Sequence, residues 1–286
     1  MMRLEKDAKL VEGKTKIIWR IKDRPNFVLV ESKDDITAGD GKKHDQMKDK
    51  ALFSNTVTCD VFRFLQKIGI PLAFVEQIDG TQFLAHWCDM LPYEVVVRNS
   101  AYGSYWKRNP EMEKGQRLPD LVVEFFLKTA NKKWNGQPIP CDDPLIVMGG
   151  EGFELYRPDI PVASQKPFLS VHEQKFSIDL EYNPYAPFET TELFSDMSDR
   201  ATYAFEHLAA AWGVIGCHLA DFKVEFGFDR TERLVLADVI DPDSWRLLDA
   251  DGEHLDKQPY RDGAPLEDVR RRYQKVAELS CGLQLV

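Results

Sequence analysis

The sequence predicts an α+β fold, because strands, helices and further strands follow one another in blocks rather than alternating as βαβ units. Two strand patterns precede a helix pattern near the N-terminus, and a β-hairpin pattern precedes the last helix. The chain has 286 residues, of which 43% are hydrophobic. This is enough to form a core in one large domain or in two lobes.

The first half of the chain supplies four strands and one helix to this prediction. Residues 16–21 and 27–30 are β-rich runs separated by a turn. Residues 48–68 predict a helix, because apolar and small side chains recur every three or four positions and a glycine follows. Residues 94–98 and 121–127 are apolar runs that predict two more strands.

The second half begins with a less regular segment. Residues 131–190 contain eight prolines, so we expect loops and short elements there. A helix is predicted over residues 190–212 from its apolar stripe. Residues 221–240 predict a hairpin that turns near residues 229–232, and residues 266–276 predict a final amphipathic helix.

Composition argues against several classes of protein. There are 37 Lys and Arg against 47 Asp and Glu, so a general nucleic-acid or anionic-membrane binder is not expected. No apolar run approaches the ~20 residues that span a bilayer, and the first residues lack the apolar stretch of a secretory signal. The five cysteines contain no CxxC pair, which favours reduced thiols and a cytoplasmic location.

A glycine-lysine turn lies near the N-terminus. Gly13-Lys14-Thr15 ends like a phosphate-binding P-loop, but Ala8 stands where that motif needs glycine and a strand follows instead of a helix. The alternative is a glycine turn that enters a strand, with Lys14 and Lys16 beside a phosphate. A solvated, charged turn fits the same residues.

The connection from residue 34 to residue 41 is rich in polar groups. It holds three aspartates, one of them Asp40, together with a threonine and two glycines. A loop that presents polar groups to a ligand has this composition, and so does a polar connection in which Asp and Thr form turns. The residues alone leave both interpretations open.

An arginine follows the apolar strand at residues 95–97. Arg98 is succeeded by small polar residues up to Ser104, which suits a phosphate or carboxylate pocket, because arginine offers a bidentate fork and serine a short donor. The alternative is a surface loop with a structural salt bridge.

The predicted hairpin concentrates charge on one face. Asp221, Lys223 and Glu225 alternate with apolar residues, and Asp238 ends the returning strand. Two carboxylates beside a lysine can hold Mg²⁺ and meet nucleotide phosphates. A plain two-sided strand gives the same alternation. Three cations further along are surface charges by default: Arg246, Lys257 and Arg261.

Taken together, these segments resemble the SAICAR synthetase family, the phosphoribosylaminoimidazole-succinocarboxamide synthases of purine biosynthesis. The matches come in the family's order and cover both ends and much of the middle, whereas residues 131–200 match poorly. The matching stretches are GKTK (13–16), DDITAGDG (34–41), MLPYEVVVRNSAYGS (90–104), DFKVEFG (221–227), LADVIDPDSWRLLD (236–249) and DKQPYRD (256–262).

The resemblance implies a two-lobed, SAICAR-synthase-like fold with a kinase-like ATP cleft. A small antiparallel β lobe over residues 1–90 would bind the nucleotide, and a larger α/β lobe over residues 91–286 would carry the substrate and metal sites. The family uses ATP and Mg²⁺ to join L-aspartate to the carboxylate of carboxyaminoimidazole ribotide. The implied partners are these small molecules, without nucleic acid or membrane, and a homo-oligomer is left open.

The resemblance also implies roles for individual residues of the nucleotide and metal sites. Lys14 and Lys16 would meet the ATP phosphates, and the segment with Asp89 and Leu91 would lie against adenine. The remaining members of this group are Lys223 at the nucleotide, and Glu225 and Asp238 as Mg²⁺ ligands, with Glu225 also on the nucleotide side.

The implied catalytic set is Asp40, Asp221 and Lys223. Asp40 and Asp221 would lie by the substrate carboxylate and its metal, and Asp40 is the first candidate for the base that deprotonates the aspartate amine. Asp143 resembles an acidic position of the family's active site. The implied substrate-binding residues are Arg98, Ser104 and Arg246 for the ribotide phosphate, and Lys257 and Arg261 near the substrate.

One position departs from the pattern of many bacterial members, which have glutamate directly after the metal aspartate. Here that residue is Val239, although the form fused to a carboxylase in animals has the same Asp-Val-Ile-Asp sequence. Two alternatives therefore stay open. One is a kinase-like phosphotransferase for another small carboxylate or sugar phosphate, and the other is a ligand-binding relative without turnover.

Overall fold

A computed structural model describes residues 4–39, 41–149, 152–172 and 191–285 of the chain. It divides into two compact units. Unit 1 comprises Met1–Met90, Glu206–Leu219 and Gly227–Val286, and unit 2 comprises Leu91–Phe205 and Ala220–Phe226. Helices combine with mainly antiparallel sheets, which confirms the predicted α+β class. In the described residues, no helix is long and apolar enough to cross a membrane.

The N-terminal segment of unit 1 is a β-sheet followed by a helix. Its five-stranded antiparallel sheet has the order β1-β2-β3-β7-β6, and β4 pairs with β5 in a separate hairpin. The predicted strands at residues 16–21 and 27–30 and the predicted helix are confirmed. The elements are β1 (Lys6–Glu12), β2 (Lys16–Ile21), β3 (Phe27–Ser32), β4 (Asp35–Ala38), β5 (Lys43–Gln46), α1 (Lys50–Lys67), β6 (Phe74–Gln77) and β7 (Gln82–His86).

Unit 2 is built on a larger sheet, to which a long helix is added. Its strands follow the order β14-β13-β12-β9-β8, and the central part of β15 adjoins β8. A short hairpin of β10 and β11 lies apart from this sheet. The elements are β8 (Cys88–Ser100), α2 (Gly103–Arg108), β9 (Arg117–Leu127), β10 (Lys133–Trp134), β11 (Gln137–Pro138), β12 (Leu145–Gly149), β13 (Gly152–Tyr156), β14 (Leu169–His172), α3 (Thr191–Val214) and β15 (His218–Asp229).

In its described residues, the proline-rich segment has the loops and short elements that were expected, with strands of two to five residues. Residues 145–172 contribute three antiparallel strands to the sheet of unit 2. The prolines in the described part of this segment do not interrupt these strands, because they precede β12 or lie between β13 and β14. Residues 173–190 lie outside the described part of the chain.

The C-terminal segment completes unit 1. It contains β16 (Leu234–Ala237), β17 (Trp245–Leu248), α4 (Gln258–Arg261) and α5 (Leu266–Ser280). Helix α5 packs on α1, and residues from both ends of the chain form one buried cluster. Its members are Ile36, Met47, Phe53, Tyr260, Val269 and Tyr273. The sequence-based division placed residues 91–286 in one lobe. In the structure, residues 206–219 and 227–286 belong to unit 1.

The predicted hairpin is confirmed as β15 and β16. The N–H of Asp229 donates to the carbonyl of Arg233 at 3.0 Å, which closes the turn. Burial alone would raise the pKa of Asp229, but hydrogen bonds from Thr231 and Arg233 outweigh it and lower that pKa to about 2. Gly227 is required on β15, because an added Cβ would lie 2.8 Å from the carbonyl oxygen of Asp89.

Candidate active site

The glycine-lysine turn of unit 1 holds one of the predicted carboxylates. The Gly13 N–H donates to the carbonyl of Lys16 at 2.9 Å, so a tight turn joins β1 to β2. The Lys16 ammonium forms an ion pair with Asp238 Oδ1. Asp238 directly follows β16 and has a φ of 65°, a conformation that is costly for a residue with a Cβ. The structure thus brings together a predicted phosphate-binding lysine and a predicted metal ligand.

Lys14, the second lysine of this turn, lies beside the loop after β4. An added Cβ at Gly41 would be 3.9 Å from Lys14 Cε, and Gly41 has a φ of 83°. The turn at residues 13–16 therefore lies beside residue 41 of the loop after β4. Asp40, the predicted catalytic base, lies outside the described residues.

Two aspartates at the start of the predicted connection, Asp34 just before β4 and Asp35 in β4, have structural roles. Asp34 Oδ1 accepts a hydrogen bond from the Ala51 N–H at 2.8 Å in the first turn of α1. Asp35 is buried, lies 2.5 Å from His44 Nε2 and forms an ion pair with Lys33 at 3.4 Å. These contacts fit the interpretation of a polar connection. Any ligand contact from residues 34–41 would therefore come from the later residues of this segment.

The hairpin face of unit 2 carries a buried carboxylate between two lysines. Lys223 Nζ donates to Glu225 Oε1 at 2.6 Å, and Lys128 Nζ donates to Glu225 Oε2 at 2.5 Å. Lys223 also lies 3.4 Å from Glu94. Burial alone would lower the pKa of Lys223, but the charges of Glu225 and Glu94 raise it above its usual value. Glu225 is therefore a carboxylate with a lysine ammonium beside each of its two oxygens.

Arg98 lies in a second buried network of unit 2. Its Nε donates to Glu124 Oε2 at 2.8 Å, its Nη1 to Asp221 Oδ2 at 2.7 Å, and its Nη2 to Ser104 Oγ at 3.3 Å. Glu124 also binds Arg108, whose Nη1 donates to the Pro158 carbonyl at 2.5 Å. Burial and the neighbouring Arg98 lower the pKa of Arg108 to about 10.

This network brings three predicted site residues together: Arg98, Asp221 and Ser104 are directly hydrogen-bonded. Arg98 has only 4% of its surface exposed, and three of its five N–H groups point to these described partners. Its geometry indicates a residue that orients Asp221 and Ser104. The salt bridge of the second alternative is observed, but in a buried strand rather than in a surface loop, and the phosphate or carboxylate pocket stays a prediction.

The segment predicted to lie against adenine has one exposed and one buried position. Leu91 is 2% exposed, whereas Met90 beside it is 45% exposed. The Leu91 side chain belongs to the core, so a ligand contact at this position would involve its backbone. The carbonyl of Asp89 is the group that requires glycine at position 227.

The remaining predicted substrate residues lie in the C-terminal segment of unit 1. Arg246 is half-buried on β17, Lys257 is 8% exposed just before α4, and Arg261 is exposed at the end of α4. Lys257 Nζ lies 3.6 Å from Asp243 Oδ2. In unit 2, Asp143 is fixed by Thr129, whose N–H donates to Asp143 Oδ1 at 3.0 Å.

The carboxylates that could hold Mg²⁺ are Glu225 in unit 2 and Asp238 in unit 1. Magnesium in nucleotide sites uses one or two protein carboxylates together with phosphate oxygens and water. Each of these residues, taken within its own unit, offers hard oxygen donors beside lysine ammonium groups, and a carboxylate of this kind is a ligand type that fits Mg²⁺. Among the described residues, no cluster of three or more His, Cys, Asp or Glu could hold a metal by protein ligands alone.

Sequence reasoning missed several charged residues that contact the predicted ones. Lys128 directly follows β9 and could have been noticed as a cation at a strand end. Asp243 lies within the matched stretch at residues 236–249 but was given no role. Arg108 was noticed only as continued positive charge after Arg98. The others, Lys50, Glu94 and Glu124, had no local signal, because their partners come from distant segments.

Solved structures of one class of enzyme share the fold described above. The crystal structure of phosphoribosylaminoimidazole-succinocarboxamide synthase from Ehrlichia chaffeensis covers 98% of this chain and 100% of its own, with a TM-score of 0.74 and 26% identity. A SAICAR synthetase in complex with ADP covers 96% of this chain and 98% of its own, with a TM-score of 0.71 and 27% identity.

Sequence comparison identifies the family. The SAICAR synthetase family model matches residues 9–142 and 173–279, so the chain belongs to this family. The phosphoribosylaminoimidazole-succinocarboxamide synthase of Chloroflexus aurantiacus is 35% identical over 278 residues, which are 95% of each chain. The multifunctional protein ADE2 of Gallus gallus is 37% identical over 284 residues, 96% of this chain. This chain spans 58% of the length of the Gallus protein.

Proposed function

We propose that this chain is an ATP-dependent ligase that joins L-aspartate to the carboxylate of carboxyaminoimidazole ribotide, giving SAICAR, ADP and phosphate. The observation that carries the proposal is the ion pair between Lys16 and Asp238. It joins the glycine-lysine turn to the end of the β15–β16 hairpin, two motifs that are far apart in the sequence and that the family pattern assigns to the same nucleotide. We place the reaction in the cytoplasm.

The chemistry requires charge compensation. A carboxylate is a poor electrophile, so the ribotide carboxylate is first phosphorylated by ATP, and the aspartate amine then displaces phosphate from the acyl phosphate. Three anionic reactants must approach one another on a protein of net charge −10. The protein's contribution is therefore to align these groups and to neutralise them locally.

In unit 1, Lys14 and Lys16 neutralise phosphate charge from the turn at residues 13–16, where the backbone is held by the Gly13–Lys16 hydrogen bond. We keep residues 1–90 as the main nucleotide-binding segment. Asp238, which pairs with Lys16 in this structure, is a residue that would hold Mg²⁺. When bound, Mg²⁺ supplies positive charge that draws phosphate oxygens together and favours phosphoryl transfer.

In unit 2, Lys223 and Lys128 flank Glu225 on the nucleotide side. Arg98 orients Asp221 toward the substrate carboxylate and presents Ser104 to the ribotide phosphate. We also assign Arg98, together with Ser104, to the ribotide phosphate. Arg246, Lys257 and Arg261 complete the substrate contacts.

The test is an assay of the purified protein with ATP, Mg²⁺, ribotide and L-aspartate. ADP release that depends on aspartate is the expected result. ADP release without aspartate would instead indicate the kinase-like phosphotransferase, and bound nucleotide without ADP release would indicate a binder. Asp238→Asn should abolish turnover while the unfolding midpoint stays near that of the wild type, and unaltered turnover would remove Asp238 from the site.

The matched control for this substitution is Lys275→Met. Lys275 also forms an ion pair with an aspartate of unit 1, at 2.8 Å from Asp249, but its side chain is half exposed. We expect its turnover to equal that of the wild type, because exposed ion pairs contribute little.

A further inference from the structure

A buried lysine lies at the start of α1, where no part of the proposed mechanism uses it. Lys50 has no measurable exposed surface, and its Nζ lies 3.2 Å from Asp243 Oδ2. A buried ammonium is costly unless an anion compensates it. Asp243 is therefore held close to α1 by the charge that it must neutralise.

Two further side chains converge on the same aspartate. Tyr273 on α5 donates its hydroxyl to Asp243 Oδ1 at 2.5 Å. Lys257 Nζ lies 3.6 Å from Oδ2, the oxygen that also faces Lys50. Oδ2 is buried and accepts no directed hydrogen bond from a described residue. One carboxylate thus lies between two ammonium groups and is anchored by a phenol.

The charges of this cluster are close to balance. Lys50 and Lys257 face Asp243 and the buried Asp241, and Arg261 adds a further positive charge near Lys257. Tyr273 is fully buried and stays a neutral donor, because burial and the two aspartates raise its pKa well above the usual value. Asp243 forms ion pairs with both lysines, at 3.2 Å from Lys50 and 3.6 Å from Lys257.

We propose that Asp243 is a positioning residue that fixes the ammonium of Lys257 for an anionic substrate group, and that Lys50 and Tyr273 hold Asp243 in place. The proposal rests on the proposed function, since that function assigns Lys257 to the substrate. It adds a residue that does not itself touch substrate and that acts through its contact with Lys257.

The arrangement has an electrostatic consequence with a definite sign. Burial lowers the pKa of Lys257, Asp243 and Asp241 raise it, and Lys50 and Arg261 lower it. Asp243→Asn removes an attractive negative charge, so the pKa of Lys257 should fall below that of the wild type. Lys50→Met removes a repulsive positive charge, so the same pKa should rise.

These opposite shifts can be measured without any enzyme assay. Lysines are dimethylated with ¹³C-formaldehyde, the Lys257 resonance is assigned with a Lys257→Arg variant, and its chemical shift is followed against pH. Lys275 is the matched internal reference, because its ion pair with Asp249 is outside the cluster. A fall in Asp243→Asn and a rise in Lys50→Met are expected. No shift in either variant, or a rise in both, would overturn the proposal.

Kinetics test whether Asp243 acts through Lys257. Asp243→Asn should raise the KM of ribotide or of aspartate about tenfold, the loss of one charged contact, and should leave the KM of ATP unchanged. Lys257→Met should raise the same KM, and the double variant should be no worse than Lys257→Met alone. Additive effects, or an equal rise in the KM of ATP, would overturn the proposal.

Two safeguards keep the result interpretable. If Asp243→Asn does not fold because Lys50 lacks its counter-charge, the variant Lys50→Met with Asp243→Asn removes both buried charges together and should show the same KM rise. If the wild type releases no ADP in response to aspartate, the proposed function fails. The Lys257 titration then still decides whether Asp243 controls that ammonium.

Discussion

Replacing Glu124 by glutamine perturbs the buried network of unit 2 with little change in volume. Glu124 accepts from Arg98 at 2.8 Å and also binds Arg108. Glutamine keeps one acceptor oxygen but places an NH₂ group where the other carboxylate oxygen was. One guanidinium then faces a donor, and the negative charge that served both arginines is lost.

The expected cost follows from burial. The side chains of Glu124, Arg98 and Arg108 are at most 8% exposed, so water cannot replace the lost charge. Removing one partner of a buried ion pair costs about 3–5 kcal/mol. Arg98 keeps Asp221 as a counter-charge, whereas Arg108 keeps its hydrogen bond to the uncharged Pro158 carbonyl. At roughly 2–4 °C per kcal/mol, the melting temperature should fall by about 6–20 °C.

The assay is thermal and urea unfolding of Glu124→Gln beside a matched control. Asp159→Asn breaks an ion pair of the same unit, but the side chains of Arg157 and Asp159 are about half exposed and lie 3.9 Å apart. The control should change the free energy of unfolding by less than about 0.5 kcal/mol. If Glu124→Gln were no less stable than the control, the network would not have the low-dielectric character argued from its burial.

Three further predictions concern the hairpin and its neighbours. Asp229→Asn should reduce the free energy of unfolding at pH 7 by about 2 kcal/mol, because folding lowers the pKa of this carboxylate to about 2. That stability is present above the unfolded pKa and is lost between about pH 4 and pH 2. In urea titrations across this range, the free energy of unfolding of the variant should therefore fall less steeply than that of the wild type. Gly227→Ala should cost about 1–3 kcal/mol in the same assay, because the new Cβ meets a backbone oxygen at 2.8 Å, whereas Gly213→Ala in α3, with nothing within 4 Å, should be neutral or stabilising. Lys128→Met should weaken ADP binding about tenfold by calorimetry, since Glu225 loses its 2.5 Å partner; unchanged affinity would separate Lys128 from the nucleotide.

Elements with a strong local pattern were predictable from the sequence. Helices α3 and α5 and the β15–β16 hairpin carry long apolar repeats, and the structure has them where they were predicted. Strand β1 was missed because it is an edge strand with five of its seven residues exposed, so its sequence shows no apolar alternation. Strands β4 to β7 are four or five residues long, which is too short for periodicity to be decisive.

The charged contacts were predictable only in part. The family resemblance named Arg98 with its partners Asp221 and Ser104, but it did not name Glu124, which lies in the same network. Lys50 and Glu124 read as ordinary surface charges in a sequence, because nothing local shows that they are buried. Their counter-charges come from other segments, and only tertiary packing shows which distant charges neutralise one another.

The return of the C-terminal segment to unit 1 has a consequence for biosynthesis. The apolar cluster beside α1 takes Tyr260, Val269 and Tyr273 from the end of the chain. At about 5–20 residues per second, the ribosome needs roughly 10–40 s to add the residues that follow position 90. The part of the α1 surface that these three residues cover therefore stays exposed throughout that interval, until α5 has been synthesised.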